Sequence, residues 1–188
     1  MAVDIFNNSK IKVGAAVKSV APFIQNKNAN GSVTRRFPGI QYYQMDLDIS
    51  FQAEDQNLFD QWMAEYRYGK PFTFPLSRSV NMKYRGKQTT AITTTTAPTA
   101  GGRVVGMSAE LEPGTKFTFQ NHSKVYEIVS YDATAKTATI FPNLRQQVHA
   151  GEIVRYQNPE LTLMLTTGTI DIPLTQIVQI SLEATEVM

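Results

Sequence analysis

Between residues 43 and 76 the hydrophobic period of the chain changes twice, and this constrains the fold more than any other feature. Tyr43, Met45, Leu47, Ile49 and Phe51 alternate with Gln44, Asp46, Asp48 and Ser50. A period of two predicts a strand with one buried face. Leu58, Phe59, Trp62, Met63 and Tyr66 then fall three and four apart, which places them on one side of a helix. Glu54 and Asp55 precede that run, where negative charge suits a helix amino end, and Asp55 is its candidate cap. Arg67 and Gly69 stand at the far end, where a cation and a left-handed residue belong. Pro71-Phe72-Thr73-Phe74-Pro75-Leu76 follows as a short alternating strand framed by prolines. Phe59, Trp62, Met63 and Tyr66 are the expected structural core, with the helix covering one face of a β-sheet.

The rest of the composition sets the limits. At 188 residues, 42% hydrophobic and 18% charged, the chain suits one globular unit or a small domain carrying an insertion. Without cysteine it has no disulfides and no thiolate metal ligands. No apolar run approaches the ~18 residues of a membrane helix. The amino end lacks a charged-then-apolar leader pattern, so a soluble product made in the cytoplasm is expected. A net charge of +2 does not by itself imply a nucleic-acid partner.

Residues 1–42 carry weaker signals. Lys10 to Val13 reads as one short strand and Ser19 to Gln25 as another. Asn26-Lys27-Asn28-Ala29-Asn30-Gly31 has turn composition. Lys10, Lys12, Lys18, Lys27, Arg35 and Arg36 face only Asp4 in this stretch. They read either as a solvated face or as a contact for an acidic neighbour. The stretch Thr89 to Ala100 is nearly all Thr and Ala, with Ile92 its one large apolar residue, and reads as a connector or an exposed strand.

Residues 103–157 hold short strands at regular spacing with turns between them: Arg103 to Met107, Phe117 to Phe119, Val125 to Val129, Thr137 to Phe141, and Ile153 to Tyr156. This spacing predicts a small barrel or sandwich. After Asn158-Pro159 the clean alternation returns, with Leu161, Leu163 and Leu165, then Val178, Ile180, Leu182 and Ala184. These late strands share the pattern of 43–51. Residues 1–87 and 159–188 are therefore expected to form one discontinuous domain, with 88–158 inserted as a small β domain.

Catalytic signals are weak. His122 and His149 fall in a predicted turn and a predicted loop, with no carboxylate at metal-ligand spacing beside either. No Gly-x-Ser-x-Gly elbow and no phosphate-binding loop occurs. Asp46 and Asp48 lie on one side of a strand, a spacing that any i, i+2 pair satisfies. Solvation or contact with a neighbouring subunit accounts for them, and Glu110 and Glu112 offer no stronger acid pair. Neither a catalytic residue nor a metal or cofactor is assigned. Phe117, Tyr126 and Phe141 lie on alternating strands and are candidate glycan contacts if they face outward.

A family resemblance rests on particular residues. Leu111-Glu112-Pro113-Gly114-Thr115-Lys116-Phe117-Thr118-Phe119, Lys124 to Val129, Ala138 to Arg145, and Val148 to Glu152 resemble a β module of bacteriophage tail and capsid-associated proteins. Phe59 to Phe74 resembles the helix-then-strand segment of tail proteins of long-tailed phages, and Ile180 to Ala184 their closing strand. The chain as a whole resembles a distal tail protein, or a close minor tail relative, of a phage with a long non-contractile tail. The resemblance implies a mainly β fold: a β-sandwich belt domain with one α-helix, carrying a small β-barrel-like insert. It implies a virion role in the tail tip or baseplate, as a homo-oligomeric, hexameric ring joining the tail tube protein to the tail-tip hub protein, with DNA passing through the channel. The insert would project outward toward tail fibres or a host glycan. No catalytic residue comes with the family, and no membrane partner is expected.

Overall fold

The computed structural model describes residues 4–79 and 82–187. The chain is mainly β with one α-helix, as its alternating segments predict, and it divides into two compact units. One unit gathers residues 4–20, 42–74 and 162–187; the other gathers 21–41 and 75–161.

The first unit is built on a sheet of five strands: β1 (Ile11–Val20), β4 (Tyr42–Gln52), β5 (Phe72–Pro75), β12 (Glu160–Leu165) and β13 (Ile177–Glu186). They lie side by side in the order β1-β4-β13-β12-β5. The longest ladder joins β4 to β13 antiparallel, setting Leu47 opposite Leu182, Met45 opposite Ala184 and Ile49 opposite Ile180. Directly paired residues share a face, so the two alternating patterns add into one apolar surface. Met45, Leu47, Ile49, Phe51, Val178, Ile180 and Leu182 are buried on it.

The α-helix (α1, Gln56–Tyr66) lies on that surface. Phe59 stacks on Phe51 at 5.2 Å, and Trp62 meets Phe72 edge-on at 5.4 Å. Phe59, Trp62 and Met63 are buried as expected; Tyr66 is half-buried at the margin, against Trp62 and Phe72. Asp55 occupies the cap position but makes no side-chain cap bond; its carboxylate instead takes the Lys10 ammonium at 2.7 Å. Gly69 has φ +85°, the left-handed value its place after the helix calls for. Ile5 and Phe6, which no sequence signal singled out, are buried. Phe6 packs against Phe72, Phe74 and Trp62, held by a turn in which the Phe6 amide donates to the Asp4 carboxylate.

The amino-terminal strands differ from expectation. Ile11–Val20 is one ten-residue strand, not two short pieces. It runs along β4 from Ile11 opposite Phe51 to Val20 opposite Tyr42. Gly14, Ala15 and Ala16 weaken the alternation in sequence, and pairing to a long neighbour overrides that local weakness.

The second unit holds a curled sheet in the order β6-β11-β8-β9-β10-β7. Its strands are β6 (Ile92–Thr93), β7 (Val104–Gly106), β8 (Lys116–Phe119), β9 (Val125–Asp132), β10 (Thr137–Phe141) and β11 (Ile153–Arg155). The two end strands are tied together: the Thr95 amide donates to the Gly106 carbonyl, the Ser108 amide to the Thr93 carbonyl, and Thr94 bridges Met107. Ile92 is fully buried here, so the Thr-rich stretch is in part a closing strand rather than a connector. It supplies backbone to the sheet and one large side chain to the core, which composition alone does not reveal.

Residues 21–41, 75–79, 82–87 and 159–161, placed by sequence with the first domain, cluster with this second unit. The short strands β2 (Ile24–Lys27) and β3 (Val33–Arg36) form a separate hairpin within the first of these stretches. Its root is held in the second unit by specific contacts. Phe37 stacks on Phe141 at 5.8 Å, the Lys124 ammonium donates to Gln41 Oε1 at 2.8 Å, and Arg145 Nη2 donates to the Gln41 carbonyl at 3.0 Å.

Candidate functional site

Three places bring chemistry-bearing side chains together. The first lies inside the curled sheet. His122, Tyr126, Glu152 and Thr94 are all buried. His122 Nε2 stands 3.2 Å from the Gln147 carbonyl, which fixes it as the protonated nitrogen. Nδ1 then accepts from the Tyr126 hydroxyl at 3.4 Å, and that hydroxyl accepts in turn from the Arg145 amide at 3.1 Å. Burial is the largest influence on His122 and pushes its pKa below the usual histidine value, partly opposed by Glu152, whose Oε1 lies 3.9 Å from Nε2. The Glu152 carboxylate accepts from the Asn121 amide at 2.9 Å and the His149 amide at 3.1 Å. It thus joins the turn after β8 to the loop before β11. Thr94 adds a bond from its hydroxyl to the His149 carbonyl at 2.5 Å. Every member is engaged by its neighbours and enclosed, so the arrangement locks loops together and leaves no face for a substrate.

The second place is a groove of about 450 Å³ lined by Lys83, Tyr84, Arg85, Lys87, Glu112 and Lys116 among others. Glu112 organises it, accepting from the Lys87 amide at 2.7 Å and the Tyr84 hydroxyl at 2.8 Å. These bonds, the Lys87 amide first, hold the Glu112 pKa below the usual carboxylate range. Burial, with Glu112 second, pushes the Tyr84 hydroxyl up to about 12. A Cβ at Gly86 would fall 2.1 Å from Glu112 Oε2, so the loop closes this tightly only with glycine there. Lys116 is paired with Glu127 at 3.2 Å, which offsets part of the positive charge of the groove.

The third place is the outer face of the first unit's sheet. Asp46 and Glu183 are direct cross-strand partners on β4 and β13. Like charges so placed repel. The Lys18 ammonium, 2.5 Å from Asp46, answers the pair, and both acids hold the Lys18 pKa above its ordinary value, Asp46 most strongly. Asp48 accepts from the Ser181 hydroxyl at 2.7 Å. Asp46 and Asp48 thus do share one strand face, and their contacts are those of a solvated sheet surface.

The aromatic candidates fall elsewhere. Phe117 and Tyr126 are fully buried in the second unit, so neither ring can stack on a sugar. Phe141 is half-buried and takes Phe37 on its ring. The reason is that β8 and β9 turn these residues into a curled sheet, where alternation points them to the interior. His149 lies in an exposed loop; its backbone, not its ring, hydrogen-bonds into the network. Glu110 lines a separate depression with Lys87, Gln88 and Glu112. Among the described residues no group of three or more His, Asp or Glu is placed to hold a metal, and no helix is long and apolar enough to cross a membrane.

The pairing of His122 with Glu152 and the Tyr84–Glu112 clamp were missed in the sequence. Partners 30 and 28 residues apart meet through the pairing of β8 with β11 and through a loop closing on Glu112, and no local spacing announces them. No protein-family model matches the chain, and no curated protein matches it.

Proposed function

We propose that the chain is a structural subunit of a bacteriophage tail tip, assembling as a homo-oligomeric ring, with six copies expected, between the tail tube and the tail-tip hub. The family resemblance of the sequence supplies the biological setting. The observation that carries the reading is the open edge of the first unit's sheet. There β1 presents ten residues of edge strand containing no proline. On its helix side only Ile11 is buried; Val13 and Val17 are half-exposed and Ala15 is exposed. Lys12 and Lys18 are the charges along this edge, and closed assemblies use such edge strands for pairing. The enclosed polar network ties loops of the second unit together, as a load-carrying subunit requires. In this reading the protein is made in the host cytoplasm and works in the virion, its second unit free to meet tail fibres, and DNA is a passing cargo.

Mass photometry of the purified protein across rising concentration tests this. A closed species near six subunits, confirmed as a ring by electron microscopy, is the expected result. A strict monomer at the highest concentrations overturns it. A stable contact should bury on the order of 800 Å² on each partner.

A further inference from the structure

In the hairpin of residues 21–41 the two strands are bare on both faces, while its root at Phe37 and Gln41 is packed. All eight residues of β2 and β3 are exposed. Phe23, Ile24, Val33 and Phe37 are each between 45% and 61% exposed, although they are large and apolar. The stretch holds Lys27, Arg35 and Arg36 and no acid. Its tip is well formed: the Gly31 amide donates to the Asn28 carbonyl, the Asn28 amide to the Ser32 carbonyl, and the Ser32 amide to Asn30 Oδ1. Arg35 is preset, its Nε donating to Gln25 Oε1 at 3.0 Å while its guanidinium lies over the Phe23 ring at 5.2 Å. A two-stranded ribbon with nothing on either face is marginal in water. A cationic, apolar ribbon of 21 residues is also about the size of one side of a standard protein interface.

We infer that this hairpin is an arm that docks on the outer sheet face of a neighbouring copy, Arg35 of the arm meeting the Asp46–Glu183 pair. The inference rests on the ring reading and names the contact. The occupant follows from charge. The outer face sets Asp46, Asp48 and Glu183 close together, with Lys18 answering the directly opposed pair. A small pocket of about 60 Å³ opens there, lined by Lys18, Gln44, Asp46, Thr166, Glu183 and Thr185 among others. A planar guanidinium, which donates two parallel bonds to a carboxylate, suits such a place better than an ammonium does. It also relieves the Asp46–Glu183 repulsion that the free subunit carries. The exposed apolar residues of the ribbon then leave water in the same step.

Charge exchange tests the contact. Arg35→Glu/Arg36→Glu on the arm is compared with Asp46→Lys/Glu183→Lys on the sheet and with all four changes combined, each read by mass photometry, with Trp62 fluorescence confirming the fold. The expected result is that each double variant stays folded and needs at least ~10-fold more protein to assemble, while the combined variant recovers toward wild type. Unchanged assembly of the arm variant, with wild type forming rings, overturns the arm and leaves the ring standing. Loss in both double variants without recovery overturns the pairing of arm with sheet. A wild type that stays monomeric overturns the ring and the arm together.

Discussion

His122 shows how one residue acquires its character from the fold. In sequence it is a turn histidine with no partner; in the structure both ring nitrogens are committed and the neutral form is favoured. The sign of the consequence is fixed by that shift. The unfolded chain titrates near 6.5, while the folded pKa is lower. Below about pH 6.5 the unfolded state takes up protons that the folded state resists, so stability is complete above that value and falls as pH drops toward the folded pKa. Urea midpoints measured from pH 8 to pH 5 should therefore decline for the wild type, and His122→Gln, which keeps a donor for the Gln147 carbonyl but does not titrate, should decline less. Parallel curves for the two proteins would show that the histidine is not the source. Arg35 is the contrasting case at this scale. It is a surface cation held ready by Gln25 and Phe23, and its place in a chemistry depends on a second molecule.

Among the elements, α1 was the most legible and the most consequential. Its apolar spacing is unbroken, and Phe59, Trp62 and Met63 all arrive at the sheet. Trp62 is only 1% exposed and touches Phe6, Tyr66 and Phe72. Trp62→Ala should cost about 3–5 kcal/mol, because a site ringed by aromatics on rigid strands collapses poorly into the space left. Thermal unfolding followed by circular dichroism checks this, and a melting temperature unchanged from wild type would place the indole outside the core. β4 and β13 were equally legible, since a period of two held over nine and eight residues leaves no competing reading. What escaped were elements whose reason lies outside their own sequence. β1 is a strand because β4 lies beside it, β6 is one because β11 and the Gly106 backbone need a neighbour, and the hairpin of 21–41 has no buried face to create a pattern. The candidate sites failed for the same reason. Phe117 and Tyr126 alternate as surface residues also do, and only the curl of the sheet decides which way they point.

At the scale of the molecule, the first unit is assembled from stretches far apart in the chain, and its stability should betray that. The central strand β13 lies between β4 and β12, and it reaches its place only after the whole of the second unit has been made. Closing so long an excursion costs entropy that grows slowly with length, so the ladder of β13 on β4 can repay it through burial of Val178, Ile180, Leu182 and Ala184. Leu182 is the sensitive point: it is 1% exposed and directly opposite Leu47, which is itself fully buried. Leu182→Ala should lose about 2–5 kcal/mol. The chain has a single tryptophan, and it belongs to the same unit, so its fluorescence reports on that unit alone. The expected outcome is an earlier urea transition of the Trp62 signal, although the substitution lies in a strand distant from the helix in sequence. A matched truncation of similar size in the second unit, Ile140→Ala, should move the Trp62 transition less, since Ile140 packs in the other core. Were the two variants to shift the tryptophan signal equally, the chain would unfold as one cooperative body, and the division into two units would describe its contacts but not its energetics.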